Sequence, residues 1–435
     1  MDAKIIVLDD DPTGSQTVHG CLLLTRWDVG TLKKGLDDAS PLMFVLTNTR
    51  AMDADEAGSV TREVCHNLKA ALEGFGRPVL YVSRSDSTLR GHYPVETDVM
   101  EQELGPFDAH FLVPAFFEGG RFTVDSMHYV RVGDQVVPAH ETEFARDSVF
   151  GYRNSYLPAY VEEKTHGAIK RQDVVRFTLE DIRLGCLNKL LALHGNPACV
   201  VDAETQDDLD RFAADIKEAT AQGRRFLFRS GASLLTSLAA FPPQPVPPQE
   251  MRRYVKGGRP GLVVVGSHVS KTTEQLEVLL QQEGVEPVEV DVNRLPEQVG
   301  PMLQEVLDKV ASAHAAGRTV VIYTSRAERT FADRQNRLRF GEHVGGFLMS
   351  VVHGLPKTLG FVISKGGITS NEMLHRGLVL PAARSVGQII PGCTVVLTPP
   401  DHRLPEIPVV IFPGNVGDAR ALAKVYHLLR GDTQW

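Results

Sequence analysis

Neither a helix nor a sheet interior can pass through Phe241 to Glu250, FPPQPVPPQE, where five of ten residues are proline, because each proline removes a backbone donor and fixes φ. The chain has to organise itself on either side of this stretch. At 435 residues it is also longer than one hydrophobic core commonly serves. The predicted division is a domain over 1–240, a proline-rich linker over 241–250 and a domain over 251–435. Both sides alternate apolar β-branched runs with segments of helical spacing. Before the prolines the predicted strands are Ile5 to Leu8, Leu42 to Leu46, Val79 to Val82, His110 to Val113, Ala198 to Asp202 and the run from Phe226. After them come Leu262 to Val265, Val288 to Val292, Thr319 to Tyr323, Gly360 to Ser364 and Pro408 to Ile411, with helices starting near Lys271, Glu297, Glu342 and Ser370. Such alternation implies parallel strands joined by crossover helices. The predicted fold class is α/β: two α/β domains with mainly parallel sheets, facing across an interdomain cleft where a small molecule would bind.

Composition narrows the function. Hydrophobic residues make up 43% of the chain and charged residues 23%, an ordinary globular balance. A formal charge of -8 argues against a nucleic-acid surface, which needs a basic excess. No apolar run is long enough to span a bilayer, and the amino terminus enters a strand pattern without a signal-like core. The five cysteines, Cys21, Cys65, Cys186, Cys199 and Cys393, are scattered and form no C-x-x-C pair, which predicts reduced thiols in a cytoplasmic protein.

Two polar loops follow predicted strands in the first half. SRSDSTLRGHYP, Ser83 to Pro94, places Arg84, Asp86, Ser87, Thr88 and Arg90 beside Gly91 at the carboxyl end of a strand, where open α/β sheets bind ligands. A guanidinium can take a carboxylate or phosphate through two parallel bonds, while an aspartate and hydroxyls can order alcohol groups, so the loop suits a small anionic polyol. DDDPTGSQTVHG, Asp9 to Gly20, sets three successive carboxylates at the end of the first strand. Their mutual repulsion calls for a magnesium ion, a basic side chain or ligand protons. Asp-Pro-Thr-Gly is also ordinary turn chemistry. Elsewhere, Thr47-Asn48-Thr49-Arg50 reads as the polar end of a strand, Pro114 and Gly119-Gly120 as a loop, and FARDSVFGYRNSYLPAYVEEKT as a surface excursion pinned by aromatic packing.

The second half carries glycine turns shaped like phosphate cradles: Gly266-Ser267 after one strand, Gly366-Gly367 after another, and FPGNVGD at Phe412 to Asp418. Glycines let backbone N–H groups approach an anion, and a helix amino terminus adds partial positive charge. Neither a Walker A loop nor a G-x-G-x-x-G fingerprint is present.

In their order along the chain, these stretches resemble the four-carbon acid sugar kinases, ATP-dependent enzymes formerly grouped as a domain of unknown function. DDDPTGS is similar to that family's A-D-D-(L/F)-T-G-A, and DSTLRG to its second signature. PAFFEGGRFTVDS, FARDSVFGYRNS and VVDAET resemble its intermediate landmarks, and VVGSHVSKTTEQ, SKGGITS, VGQIIPGC and FPGNVGD follow in family order. The chain departs from the pattern at Asp9, Pro12 and Ser15, at Ser83-Arg84-Ser85 in place of a lysine-rich approach, and at Ile368 where an acidic residue often stands.

The resemblance implies an amino-terminal substrate domain, a carboxyl-terminal nucleotide domain, and phosphorylation of the terminal hydroxyl of a sugar acid such as threonate, erythronate or 3-oxo-tetronate. It places ATP on Ser267, Gly366, Gly367, Ile368, Thr369 and Gly414, with Mg2+ bridging the phosphates and no metal ligand assigned among the side chains. On this reading Arg90 and Arg84 take the substrate carboxylate, with Ser87, Gly91, Thr13 and Gly14 completing the substrate site. Asp86 with Asp10 or Asp11 orders the hydroxyls, one of them orienting the attacking oxygen. The expected partner is a small sugar acid, with no nucleic acid and no membrane, and a homodimer is left open. Two other classes compete: a non-catalytic nucleotide and sugar-acid sensor on the same frame, and a nicotinamide-dependent sugar-acid dehydrogenase, which the missing fingerprint disfavours.

Overall fold

The computed structural model describes residues 3–326 and 334–432. The chain divides into two compact units, one ending at Pro243 and the other starting at Gln244.

The first unit is a sheet of eight parallel strands. In chain order the unit's strands are β1 (Lys4–Asp9), β2 (Leu22–Leu24), β3 (Leu42–Leu46), β4 (Val79–Arg84), β5 (Ala109–Val113), β6 (Arg121–Val124), β7 (Met127–Val132), β8 (Gln135–Pro138), β9 (Val175–Phe177), β10 (Ala198–Val201) and β11 (Phe226–Ser230). The sheet order is β2-β3-β1-β4-β11-β5-β10-β9. β1, β3, β4 and β5 are buried nearly throughout, as strands covered on both faces must be, which is why they read as unbroken apolar runs. Phe111 anchors the core. It stacks on Phe228 at 5.4 Å and meets the rings of Phe177, Phe212 and Phe226 edge-on. Helices Ala54–Ala71 and Gln206–Ala221 begin on side-chain caps, Asp53 and Thr205, that satisfy their first free N–H groups.

Chain order reverses across the middle of this sheet, with β3 on one side of β1 and β4 on the other. The carboxyl ends at that switch point form a crevice into which the loops after β1, β3 and β4 run. The segment after Pro114, read from sequence as a loop, instead forms a small antiparallel sheet of β6, β7 and β8.

The second unit carries β12 (Leu262–Val265), β13 (Val285–Val290), β14 (Thr319–Thr324), β15 (Val362–Lys365), β16 (Ala382–Ile390), β17 (Cys393–Leu397) and β18 (Pro408–Phe412), in the order β13-β14-β12-β15-β18-β17-β16. Five of these strands are parallel, while β17 runs antiparallel to both β16 and β18. That hairpin was not predicted, because VGQIIPGC reads only as one stretch in the family's order. β13 starts earlier than the predicted Val288, and the helix expected from Ser370 starts at Gly367 and passes at Met373 into a π turn. The helix expected from Glu342 spans Arg334–His353. All five cysteines are buried, and no disulfide joins any two of them.

Candidate functional site

Asp9, Arg84 and Ser230 stand in register at the ends of β1, β4 and β11. The backbone stays tied beyond the strands: Asp10 N–H donates to the Arg84 carbonyl (3.3 Å), Ser85 N–H to that of Ser230 (2.9 Å), and Arg50 N–H to that of Asp10 (3.1 Å). The acidic turn and the Ser83 loop, which start 74 residues apart in sequence, are thereby brought together. The Asp10 carboxylate accepts from Ser85 Oγ at 2.8 Å and from Arg50 through both Nε (3.2 Å) and Nη2. Asp11 is occupied mainly by its own turn. It accepts from Thr13 N–H (2.8 Å) and Thr13 Oγ1 (2.5 Å), and Arg50 Nη1 lies 3.4 Å away.

Asp86 and Arg90 pair with each other, Arg90 Nε standing 2.6 Å from Asp86 Oδ2, which also accepts from Thr88 Oγ1. Arg90 lies over the Phe144 ring at 5.1 Å and 3.7 Å from Asp147. Three successive carbonyls of this loop are fixed from outside it. That of Ser87 meets His128 Nε2 (2.7 Å), that of Thr88 accepts from Tyr152 Oη (2.7 Å), and that of Leu89 from Tyr160 Oη (2.8 Å). Tyr152 and Tyr160, from the segment read as a surface excursion, thus clamp the loop together with His128 of β7. At Gly91, φ is +129° and a Cβ would stand 2.4 Å from Ser85 Oγ, so only glycine serves there.

Sequence reasoning passed over the residues that complete the site. Arg229, in β11, is buried and donates through Nη1 to Ser83 Oγ (2.6 Å) and Glu96 Oε2 (2.5 Å), and through Nη2 to Ser85 Oγ (2.7 Å). Glu96 also accepts from Thr49 Oγ1 at 2.6 Å. A chain of contacts therefore runs from Arg50 through Asp10, Ser85 and Arg229 to Glu96. The available signal was an arginine inside the apolar run FLFRS, since a buried charge needs a partner.

The electrostatics separate the carboxylates. Burial pushes up the Asp10 carboxyl, an effect that Arg50 opposes and Glu96 reinforces, and it ends above its ordinary value. Asp86 is also buried, but the guanidiniums of Arg50 and Arg90 and the Thr88 hydroxyl outweigh that and hold it well below the usual carboxylate range. Asp9 is raised well above its ordinary value by burial. Its carboxylate packs on the acidic turn so closely that a Cβ on Gly14 would fall 2.0 Å from Oδ1. Arg84, expected at the substrate, is itself buried, donates through Nη1 to the Ser85 carbonyl, and leaves Nε without a partner among the described residues.

In the second unit, the three glycine turns lie at the carboxyl ends of the adjacent strands β12, β15 and β18. They touch one another. A Cβ on Gly266 would stand 2.4 Å from Thr369 Oγ1, one on Gly366 2.9 Å from Ser267 Cβ, and one on Gly414 3.0 Å from Ser267 Oγ. Thr272 Oγ1 donates to the Gly414 carbonyl (3.0 Å) and lies in hydrogen-bond contact with Ser267 Oγ (3.1 Å). Lys365 is buried, donates to the carbonyls of Pro413 (2.6 Å) and Gly414 (3.2 Å), and is pushed down by burial to about 7. Gly367 opens a short helix, and Ile368 is 75% exposed beside it. Ser267, Gly366, Thr369 and Gly414 thus pack against one another where three strand ends meet, with Gly367 next to Gly366 in the chain. Among the described residues no three His, Cys, Asp or Glu side chains are grouped to hold a metal, and no helix is long and apolar enough to cross a membrane.

Comparison with known proteins matches residues 5–238 to a sugar-binding N-terminal domain and residues 262–422 to a nucleotide-binding C-terminal domain. The D-erythronate kinase of Heliobacterium modesticaldum is 27% identical over 336 residues, covering 73% of this chain and 71% of that protein. The D-threonate kinase of Cupriavidus necator is 25% identical over 393 residues, covering 88% of each. A crystal structure from Haemophilus influenzae shares the fold with a TM-score of 0.65 at 17% identity, over 98% of this chain and all of that one (100%).

Proposed function

We propose, from the premise that the chain belongs to the four-carbon acid sugar kinase family, that it transfers the γ-phosphoryl group of ATP to the terminal hydroxyl of a four-carbon sugar acid of the threonate, erythronate or 3-oxo-tetronate type. The observation that carries the reading is the junction of Asp10 with Arg50 and Ser85 at the switch point of the first sheet, next to the Asp86–Arg90 loop.

Arg50 and Arg90, whose side chains are partly exposed at 19% and 27%, face the substrate carboxylate. Asp86, held ionised by two guanidiniums, accepts hydrogen bonds from substrate hydroxyls. Asp10, held by Arg50 and Ser85 next to the Asp86–Arg90 loop, orients the attacking hydroxyl and takes its proton. Asp11 and Thr13 keep the acidic turn in shape. The turns at Ser267, Gly366 to Thr369 and Gly414 would hold ATP, which with magnesium would supply the phosphoryl group and neutralise its charge. Catalysis then rests chiefly on positioning and on charge placed before the reaction begins.

The test is ADP release by the purified full chain against a panel of four-carbon sugar acids. Arg90→Ala is expected to raise KM, and Asp10→Asn to lower kcat by roughly 10²-fold or more, the usual scale for a lost general base. ADP release that no sugar acid stimulates would refute the assignment.

A further inference from the structure

A cavity of about 20 Å³ opens beside the Asp86–Arg90 pair, with Ser85, Arg229 and Ser230 in its polar lining. That volume holds one water-sized group. The rest of the lining is apolar: Leu89, Leu112, Pro114 and the rings of Tyr93 and Tyr160. The phenol hydroxyls are engaged elsewhere, Tyr160 with the Leu89 carbonyl at 2.8 Å and Tyr93 with His110 Nε2 at 3.2 Å. Ser85 Oγ is engaged as well, by Asp10, Arg229 and the Arg90 carbonyl. Ser230 differs from all of these. It is 2% exposed, and its hydroxyl has no hydrogen-bond partner among the described residues. A buried hydroxyl left unpaired is unfavourable, and one that lines a cavity can be satisfied by an incoming group.

We propose that this cavity is a specificity subsite that reads one internal hydroxyl of the sugar acid. The Ser230 hydroxyl is its hydrogen-bond partner, and the walls of Leu89, Leu112, Tyr93 and Tyr160 exclude any larger substituent at that carbon. The inference rests on the sugar-acid reading above and deepens it. The ligand class is an unbranched polyhydroxy acid carrying a free hydroxyl at the carbon seated here. A site built to hydrogen-bond a hydroxyl rejects the analogue that lacks it, whereas a merely apolar slot does not.

The experiment is titration calorimetry on the full chain without nucleotide, so that a failure of phosphoryl transfer leaves the subsite measurement standing. The ligands are the four-carbon acids, the two analogues of the tightest binder that each lack one internal hydroxyl, and a C-methyl-branched analogue. Wild type should bind one deoxy analogue at least about tenfold more weakly than the parent acid. Ser230→Ala should bring that ratio close to one while leaving the ratio for the other analogue in place. Leu112→Ala should admit the branched acid that wild type rejects. Equal ratios for both deoxy analogues in wild type and Ser230→Ala would mean that the cavity holds only water, and would overturn the inference. Wild-type binding of the branched acid as tight as that of the parent would do the same even if Ser230→Ala proved unstable, as would failure of every acid to bind.

Discussion

Replacing Arg229 with methionine tests the buried network most directly. The Arg229 and Glu96 side chains are 8% and 6% exposed and stand 2.5 Å apart. Methionine keeps most of the arginine's length and apolar contact but removes three hydrogen bonds, to Ser83, Ser85 and Glu96. It leaves the Glu96 carboxylate buried with the Thr49 hydroxyl as its one remaining direct partner among the described residues. Breaking one side of a buried ion pair costs about 3–5 kcal/mol. At roughly 3 °C per kcal/mol for a unit of this size, a loss of about 4 kcal/mol lowers the unfolding midpoint by about 12 °C. Adding Glu96→Gln removes the stranded charge while keeping the acceptor for Thr49, so the double variant should recover about 2–3 kcal/mol, more than half of the loss. Urea unfolding of the full chain, followed by the transition of the first unit, measures all four corners of the cycle. A single-variant loss below about 1 kcal/mol, or strictly additive effects, would show that Arg229 is solvated in some way the structure does not contain.

Two further perturbations probe the acidic turn and the clamp. Gly14→Ala should destabilise the turn by about 1–3 kcal/mol, because the new Cβ falls 2.0 Å from Asp9 Oδ1, and Asp9→Ala should relieve most of that loss in thermal unfolding of the double variant. His128 should make stability sensitive to acid. Burial pushes its imidazole down to about 4, so below its ordinary value the unfolded chain takes a proton that the folded chain refuses. Its stabilising contribution is therefore complete above about pH 6.5 and lost as pH falls towards 4, by roughly 3 kcal/mol in all. Asp202, pushed up by burial to about 6, acts with the opposite sign over part of that window. The informative quantity is thus the difference between wild type and His128→Gln in urea unfolding across pH 4 to 6.5, and equal slopes would remove His128 from the account.

The site owes its rigidity to residues far from it in sequence. His128, Tyr152 and Tyr160 each hold one carbonyl of the Ser87 to Leu89 run, and Arg90 rests on Phe144. Fixing a loop in advance spares a ligand the entropy of ordering it. The same logic explains a buried Lys365 in the second unit, whose ammonium ties the Pro413 and Gly414 carbonyls and so sets the shape of a glycine turn.

Much of this could be read from the chain one segment at a time. The apolar runs of β1, β3, β4 and β12, the amphipathic segment after Asp53 and the turn chemistry of Asp-Pro-Thr-Gly are local, because residue periodicity and turn propensity depend on near neighbours. DSTLRG and the acidic turn were recognisable as polar loops after strands for the same reason. Strand order was not legible in that way, and strand order decides which loops share an edge of the sheet. Arg50 looked like the polar end of a strand until β3 was placed beside β1, and Arg229 drew no notice within the run from Phe226 until β11 was placed beside β4. Glu96 and Arg229 lie 133 residues apart, and nothing near either one announces the other. A buried charge shows in the sequence only as a charge, and its partner is chosen by packing that brings distant strands together and excludes water from both.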